Sequence, residues 1–364
     1  MLTVASIAVF SHALPMAAGP YVMASGILEE ADTTLVRLTL SDGSSGWGET
    51  CPVGPTYAEA SKNGARTALQ DLIAPLIGRP ASPFALHDTM DGTLTGLSYA
   101  KAALDMALHD ALAHSYGIPL SALLGGQRQA QVPAYYALTC TSLEETRAKA
   151  KDLAAQGYRR IQVKVGALDL REDVERLRAV HDDLGPEIIL AADANRKFPT
   201  AQALTFSALT KDIPLVLEQP CNTLAENQSI RERLHHPLLL DENLTSVEVC
   251  RQALNFIDGA SMKITRLGGH GPFGVFRDMA AARSMAHTVD DAWGSDIMAA
   301  HCVHMAATVL PKNLAGVWIA QPHIRGHVSR TPVKHEDGWL KVPEGPGLGL
   351  DIDPAQFGAP LFEG

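Results

Sequence analysis

Five charged residues in the middle of the chain each end a short apolar run. They lie 22 to 29 residues apart, and they are Lys164, Asp193, Glu218, Asp241 and Lys263. That interval is the length of one β-strand, one α-helix and two short loops in a parallel sheet. The pattern predicts successive βα units with a charge at the carboxyl end of each strand. In a (β/α)₈ barrel those ends meet on one face, so we expect the five side chains around one site.

Three acidic residues of this set, Asp193, Glu218 and Asp241, belong to three consecutive predicted strands. Carboxylates that share a site repel each other, and burial makes each charge costly unless a cation pairs with it. Hard oxygen ligands of this kind suit Mg²⁺. The sequence therefore predicts one Mg²⁺ bound by these three carboxylates.

Two lysines, Lys164 and Lys263, lie on the strands before and after the acidic residues. A lysine close to a metal ion and a second cation has a lowered pKa, which suits it to accept a proton near neutral pH. A metal ion and two opposed bases favour removal of the proton next to a carboxylate group, with the metal stabilising the resulting charge. The alternative is five unrelated strand ends, which the order of three acids between two bases disfavours.

The regions on either side of this pattern predict further structure. Residues 2–10, 33–40 and 46–49 have strand composition and indicate an antiparallel meander, and residues 132–138 are expected to form the first barrel strand. Small and apolar residues at helical spacing over 100–112 predict a helix that Ser98 begins and Gly117 ends.

Composition excludes several functional classes. The chain has 364 residues and a formal net charge of −10, which disfavours a nucleic-acid surface. It has no apolar run of about 18 residues, so we expect no transmembrane helix. The apolar N-terminus lacks lysine and arginine, which favours an early strand over a signal peptide. The five cysteines are widely spaced without a Cys-x-x-Cys motif, which is typical of a reduced, cytoplasmic protein.

Three other signals are interpreted as structural. The glycine pattern at residues 269–274 matches a dinucleotide-binding motif, but Pro272 removes a donor that phosphates need, so we expect a loop after the sixth strand. His301 and His304 are three residues apart on a predicted helix, and packing or surface roles are expected because zinc needs further ligands. Cys51 has no base placed near it by the sequence.

The strand-end residues resemble the enolase superfamily, and within it the branch of mandelate racemases and muconate-lactonising enzymes. The resemblance covers nearly the whole chain. It implies a modified (β/α)₈ barrel, written (β/α)₇β, at residues 126–322. It also implies an α+β capping domain at residues 1–125 that residues 323–364 complete. The family's metal ligands correspond to Asp193, Glu218 and Asp241, and its opposed bases correspond to Lys164 and Lys263.

Finer motifs resemble the family members that epimerise 4-hydroxyproline betaine at C2. These are residues 48–57 (GETCPVGPTY), 217–224 (LEQPCNTL) and 290–294 (DDAWG), together with Gln162, where the family usually has a second lysine. The resemblance implies a Mg²⁺-dependent isomerase whose substrate is a small carboxylate, with proline betaine or another quaternary or N-methylated proline favoured. It also implies a homo-oligomer. Ala194 departs from the family pattern, where glycine follows the first metal ligand.

The substrate nitrogen is expected to be a permanent cation, which cannot donate hydrogen bonds and is best held by aromatic faces and negative charge. The candidate substrate-binding residues are Tyr57, Gln162, Asp290, Asp291, Trp293 and Trp318. Two alternatives remain open. The same α-proton removal could lead to a dehydratase or to epimerisation of another amino-acid derivative, or the scaffold could be a non-catalytic carboxylate-binding protein.

Overall fold

An antiparallel sheet and a layer of helices form the first third of the chain. The computed structural model describes residues 1–23 and 26–364. The strands of this part are β1 (Val4–Pro15), β2 (Tyr21–Met23), β3 (Gly26–Leu28), β4 (Glu30–Leu40) and β5 (Ser45–Thr50), and the helices are α1 (Lys62–Leu76), α2 (Pro83–Thr93), α3 (Ser98–Tyr116) and α4 (Leu120–Leu123). Strands β1, β4 and β5 pair antiparallel, so the predicted meander is confirmed.

Helix α3 packs between this sheet and the rest of the protein. Gly46 and Gly48 of β5 allow its backbone to approach closely, because a Cβ atom at either position would clash with the α3 backbone. Nearly every residue of α3 is buried as a result. Gly117 ends the helix in the left-handed conformation, as predicted. The prediction for Ser98 is wrong: the residue that caps the helix is Leu97, and no side chain bonds the first turn.

Eight parallel strands follow and alternate with helices. They neighbour each other in chain order and are β7 (Tyr136–Leu138), β8 (Arg160–Lys164), β9 (Ile189–Asp193), β10 (Leu215–Glu218), β11 (Leu238–Leu240), β12 (Gly259–Lys263), β13 (Ala286–Asp290) and β14 (Leu314–Val317), preceded by the short strand β6 (Gln131–Pro133). A parallel bridge between Ala134 and Val317 joins the first strand region to the last. The sheet therefore closes into the predicted (β/α)₇β barrel.

The connecting helices lie between consecutive barrel strands. They are α5 (Leu143–Ala155), α6 (Leu170–Leu184), α7 (Thr200–Leu209), α8 (Leu224–Ile230), α9 (Val247–Ala253), α10 (Ile264–Leu267), α11 (His270–Ala282) and α12 (Asp296–Ala306). Helices α5 and α8 begin with capping boxes, in which the side chain of Ser142 or Thr223 and a glutamate three residues later satisfy free backbone N–H groups. Among the described residues, none of the helices has the length and apolar character needed to cross a membrane.

Two predictions about this region are wrong. Residues 132–138 form two strands, because the segment leaves β6 and crosses to the barrel, where β7 starts at Tyr136. The glycine pattern at 269–274 belongs to a helix, since α11 starts at His270. Pro272 lies in its first turn, where a backbone N–H has no helical partner to lose. Gly269 is required there because a Cβ atom would collide with the Asp105 carboxylate.

The C-terminal segment returns to the first part of the chain. Its strands are β15 (His335–Glu336), β16 (Trp339–Lys341) and β17 (Phe362–Glu363). β16 pairs with β6, and β17 pairs with β1 at the edge of the N-terminal sheet. A C-terminal segment that completes the capping domain is expected to pair in this way. The domain boundaries at residues 125 and 322 remain a prediction.

Hydrogen bonds of Glu49 link the capping sheet to the barrel. This fully buried carboxylate accepts hydrogen bonds from Thr33 Oγ1 at 2.7 Å, Ser295 N at 2.8 Å, Ser295 Oγ at 2.7 Å and Met298 N at 2.9 Å. The last three donors stand at the start of α12, so the carboxylate supplies the acceptors that a helix N-terminus lacks. The contact fixes the loop after β13, which carries Trp293.

Candidate active site

The carboxyl ends of the barrel strands surround a pocket. All eleven residues that the sequence analysis selected line it: Tyr57, Gln162, Lys164, Asp193, Glu218, Asp241, Lys263, Asp290, Asp291, Trp293 and Trp318. Five further residues were not selected, namely Tyr21, Val53, Tyr135, Ala137 and Ala292. Because the elements that bear these residues come from both the capping region and the barrel, the pocket is enclosed by both.

Lys164 and Lys263 stand on opposite sides of this pocket. They end β8 and β12, which are four positions apart in the ring of eight strands. Side chains two residues apart on a strand face the same way, so Gln162 also points into the barrel beside Lys164. The three candidate metal ligands end strands or follow them on the arc between the two lysines.

Asp193 and Glu218 share a hydrogen-bond donor. Gln162 Nε2 donates to Asp193 Oδ2 at 3.1 Å and to Glu218 Oε2 at 2.9 Å. Asp193 also accepts from Lys164 Nζ at 2.5 Å and from the backbone N–H of Asn195 at 2.8 Å. Burial, with the charges of Asp193 and Asp241 adding to it, raises the pKa of Glu218 to about 8. Gln162 therefore bridges two carboxylates and provides no charge to neutralise them.

Asp241 is surrounded by cationic and phenolic donors. Lys263 Nζ lies 2.9 Å from its Oδ1, Tyr57 OH donates to its Oδ2 at 2.9 Å, and Arg266 Nη1 bonds its carboxylate. Burial alone would raise the pKa of Asp241, but Arg266 and Lys263 outweigh that effect and hold it well below its usual value. Asp241 is consequently ionised over the whole physiological range.

The carboxylates suit a divalent metal ion by their chemistry. Within residues 1–23 and 26–364, no group of three His, Cys, Asp or Glu side chains is arranged around a common metal position, since Asp193 turns towards Lys164 and Asp241 towards Lys263. Asp193, Glu218 and Asp241 nevertheless line the same pocket, with their carboxylate oxygens as its hard donors. Hard oxygen donors with excess negative charge fit Mg²⁺.

Both lysines are ion-paired, and this affects their pKa. Burial would lower the pKa of Lys164 and of Lys263, but Asp193 beside the first and Asp241 beside the second raise both above the ordinary value for lysine. Next to a bound cation, lowered pKa values for the two lysines are predicted from the sequence. Since a cation would compete for the same carboxylates, that expectation concerns the metal-bound site and stays a prediction.

The two adjacent aspartates at the carboxyl end of β13, Asp290 and Asp291, have different surroundings. Both oxygens of Asp291 are bound, by the backbone N–H and hydroxyl of Thr265 at 2.8 and 2.6 Å and by the N–H of Ala292 at 2.7 Å. Asp290 Oδ2 accepts from Tyr135 OH at 3.0 Å and lies 3.4 Å from Lys263 Nζ. Its Oδ1 has no hydrogen-bond partner in the described part of the chain. Asp290 is thus the aspartate with a free acceptor.

Aromatic rings form the wall opposite the metal-ligand candidates. Trp293 and Trp318 pack edge to face with centroids 5.4 Å apart, and Tyr21 lies 5.3 Å from Trp293. The hydroxyl of Tyr21 donates to Ala137 O on β7 at 3.3 Å, which ties the β2–β3 hairpin to the barrel mouth. The ring of Tyr57 already faces the guanidinium of Arg266 at 5.7 Å. Within the described residues no lysine or arginine lies over the rings of Trp293, Trp318 or Tyr21, and His323 stacks on Trp318 with centroids 5.7 Å apart.

Several site residues were missed by the sequence analysis. Arg266 could have been found, because it lies one helical turn after Lys263 and so returns to the same strand end. Asn195, two residues after Asp193, is a similar case and also donates to Glu242 at 3.0 Å. Tyr135 was missed because residues 132–138 were treated as one regular strand, whereas Tyr135 lies at the crossing between β6 and β7.

The closed parallel barrel with charged strand ends and an α+β cap defines an α/β-barrel enzyme that acts at the carboxyl face of its strands. Two family models match the chain. One is the mandelate racemase / muconate lactonizing enzyme N-terminal domain, at residues 5–125, and the other is the enolase C-terminal domain-like family, at residues 145–356. The chain therefore belongs to the mandelate racemase/muconate lactonizing enzyme family of the enolase superfamily, as the sequence analysis predicted.

Characterised relatives catalyse different reactions. The chain is 31% identical over 353 residues to the cis-3-hydroxy-L-proline dehydratase of Roseibium aggregatum, with 96% of both chains covered. It is 27% identical to the L-Ala-D/L-Glu epimerase of Bacillus subtilis, with 95% of this chain and 94% of the other covered. A solved enolase-superfamily member from Roseovarius nubinhibens, complexed with magnesium, superposes with a TM-score of 0.94 at 29% identity over both whole chains. Racemases, epimerases and dehydratases thus share this framework.

Proposed function

We propose that the protein is a Mg²⁺-dependent epimerase that inverts C2 of a proline betaine. The observation that carries the proposal is the pair of lysines on opposed strands β8 and β12, both directed into one pocket. Inversion at a carbon needs a base on one face and an acid on the other. A lysine can serve as either, because it carries an exchangeable proton when charged and a lone pair when neutral.

In this mechanism the substrate lies between the lysines with its carboxylate towards Asp193, Glu218 and Asp241. These three residues would hold Mg²⁺, which supplies positive charge to the substrate carboxylate as its α-carbon loses a proton. Lys164 removes the proton from the S enantiomer, and Lys263 delivers a proton to the opposite face. The reverse reaction exchanges their roles. The assignment of Lys164 to S and of Lys263 to R follows the family resemblance.

The nitrogen of the substrate is proposed to face the aromatic wall. A quaternary ammonium is attracted to the faces of Trp293 and Trp318 and to negative charge. Asp290 supplies that charge, and Asp291 contributes less because both of its oxygens are bound by the protein. Tyr57 holds Asp241 through its hydroxyl, so its proposed role at the cation is the weaker one.

A second candidate is β-elimination from a hydroxylated proline. It is favoured by the 31% identity to a cis-3-hydroxy-L-proline dehydratase over almost the whole chain. Elimination begins with the same α-proton removal, and one lysine would then protonate a departing hydroxyl group in place of the α-carbon. A non-catalytic carboxylate-binding protein would need neither lysine in the pocket.

Proton NMR in D₂O distinguishes epimerisation, elimination and the absence of catalysis. The purified protein with Mg²⁺ is incubated with S-proline betaine, with S-proline and with cis-3-hydroxy-L-proline, and α-deuteration, inversion and loss of the ring hydroxyl are followed. Epimerisation predicts α-deuteration with inversion of the betaine. Elimination of the hydroxyproline without inversion of any substrate would establish the dehydratase instead, and no exchange with any of the three would contradict both.

Lys164→Ala and Lys263→Ala serve as the matched pair of variants. Each is expected to abolish inversion, while the lysine that remains still exchanges the α-proton of one enantiomer. If both single variants still invert the substrate, the two-base mechanism is wrong.

A further inference from the structure

The two lysines are held by different kinds of partner. Lys164 Nζ bonds Asp193, and in the described part of the chain it makes no second hydrogen bond through that atom. Lys263 Nζ bonds Asp241 and also lies 3.4 Å from Asp290 Oδ2. Asp193 and Asp241 are both candidate metal ligands, whereas Asp290 is not. Of the two lysines, Lys263 alone therefore contacts a described acceptor that does not belong to the predicted metal site.

Asp290 is itself held by Tyr135. The hydroxyl of Tyr135 donates to Asp290 Oδ2, the same oxygen that faces Lys263, at 3.0 Å. Both residues are almost fully buried, so the bond is shielded from water and from competing donors. Among the described residues, Asp290 Oδ2 thus connects two groups: it accepts a hydrogen bond from Tyr135 OH and also contacts Lys263 Nζ.

Tyr135 is fixed at both its backbone and its ring. Its backbone N–H donates to Val317 O at 3.0 Å, which is part of the closure of the barrel between the first and last strands. The guanidinium of Arg160 stacks over its ring at 5.4 Å. Arg160 lies on β8 beneath Gln162 and Lys164, so the ring is held against the interior of the barrel. A hydroxyl on such a rigid support can fix the carboxylate that it contacts.

We propose that Tyr135, acting through Asp290, positions Lys263 for proton transfer on one face of the α-carbon. The inference rests on the proposed two-base function. Tyr135 is a positioning residue in this scheme, since it orients Asp290 and does not exchange a proton with the substrate. Lys164 has no equivalent support among the residues that the structure describes, so removal of the Tyr135 hydroxyl affects the two faces of the substrate unequally.

The test variant is Tyr135→Phe, which keeps the ring that Arg160 covers and removes only the hydroxyl. Tyr99→Phe is the matched control, because Tyr99 is a buried tyrosine whose hydroxyl has no hydrogen-bond partner in the described part of the chain. Each variant and the wild type are incubated with Mg²⁺ in D₂O, separately with S- and R-proline betaine. Exchange without inversion and exchange with inversion are measured for each enantiomer.

Positioning predicts an asymmetric result. In Tyr135→Phe, exchange of the R enantiomer falls by about tenfold or more, on the scale of a misplaced catalytic group. The S enantiomer still exchanges its proton through Lys164, but its inversion slows, so the ratio of exchange to inversion rises. Tyr99→Phe behaves as the wild type. A uniform loss for both enantiomers, or no loss, would overturn the inference. If Tyr135→Phe does not fold, Asp290→Asn is compared by kcat for each enantiomer at saturating substrate, because Asp290 is also proposed to attract the substrate ammonium and its loss raises KM for both.

Crystal structures with Mg²⁺ alone separate this inference from the proposed function. If the wild type exchanges neither enantiomer, the proposed function has failed, and the positioning is still judged from structure. The inference predicts that Lys263 Nζ contacts Asp290 in the Mg²⁺-bound wild type and loses that contact, or its order, in Tyr135→Phe. An unchanged Lys263 in the variant would refute it.

Discussion

The substrate nitrogen and its surroundings predict how strongly the enzyme prefers proline betaine over proline. Among the described residues, the aspartate oxygen there without a hydrogen-bond partner is Asp290 Oδ1, because Asp290 Oδ2 and both oxygens of Asp291 are already bound. Protonated proline brings two N–H donors, N-methylproline brings one, and proline betaine brings none. A buried donor without an acceptor costs about 1–3 kcal/mol. One donor of proline is left over, which predicts a preference for the betaine of roughly ten- to a hundredfold.

Replacing Trp318 with leucine tests the other part of that preference. A cation over a tryptophan face is worth about 0.5–2 kcal/mol, which corresponds to a roughly two- to thirtyfold increase in KM for the betaine. Leucine keeps much of the apolar packing against Trp293 while it removes the π face. The control is Trp339→Leu, which removes a tryptophan that is 41% exposed on β16.

Steady-state epimerisation, or α-deuteration where inversion is slow, gives kcat and KM for proline betaine, N-methylproline and proline in the three proteins. In the wild type kcat/KM is expected to be roughly ten- to a hundredfold lower for proline than for the betaine, and N-methylproline, whose one N–H has an acceptor, should be turned over better than proline. The ratio of betaine to proline should be reduced in Trp318→Leu and unchanged in Trp339→Leu. A wild type without preference for the quaternary compound, or a Trp318→Leu variant with an unchanged preference, would falsify the aromatic cage and leave an α-proton epimerase of another substrate.

Three further predictions concern the metal site and Glu49. Mg²⁺ is expected to raise the melting temperature of the wild type in a dose-dependent way that EDTA reverses, and Asp193→Asn is expected to weaken the response strongly. Glu49→Ala is expected to reduce the free energy of unfolding by about 2–4 kcal/mol in urea titrations, since donors from Thr33 and α12 lose their acceptor, whereas Glu29→Ala at an exposed position changes little. Burial raises the pKa of Glu49 from 4.5 to about 7, so the folded chain binds this proton more tightly than the unfolded chain. The stability of the wild type relative to Glu49→Gln should therefore decline as the pH rises through that interval. A response to Mg²⁺ that Asp193→Asn leaves intact, an unchanged unfolding energy in Glu49→Ala, or a pH-independent difference would contradict the respective prediction.

Much of the fold could be predicted from the sequence because its determinants are local. Short apolar runs at βα spacing specify a parallel barrel almost regardless of detail. In such a barrel the carboxyl ends of all strands share one face, so a charge at the end of a run is placed by topology alone. That is why Lys164, Asp193, Glu218, Asp241 and Lys263 could be assigned to one pocket without any knowledge of side-chain contacts.

The sequence was less informative where the chain leaves regular structure. A strand pattern continues from residue 132 to 138, but the backbone changes partners within it, from β16 of the tail to β8 of the barrel. Pairing with a segment some 200 residues away depends on how the tail folds back, which no local pattern contains. Likewise, the tight approach of Asp105 that makes Gly269 necessary comes from α3 of the capping region.

Only the tertiary structure decided which atoms of the site pair with each other. Asp290 and Asp291 are neighbours in the sequence and have the same side chain. Asp290 nevertheless faces Tyr135 and Lys263, whereas Asp291 accepts a hydrogen bond from the backbone of Thr265. The bond between Tyr135 and Asp290 joins residues 155 positions apart. Hydrogen bonds act over about 3 Å, so their partners are determined by the packing of distant segments and not by the residue types along the chain.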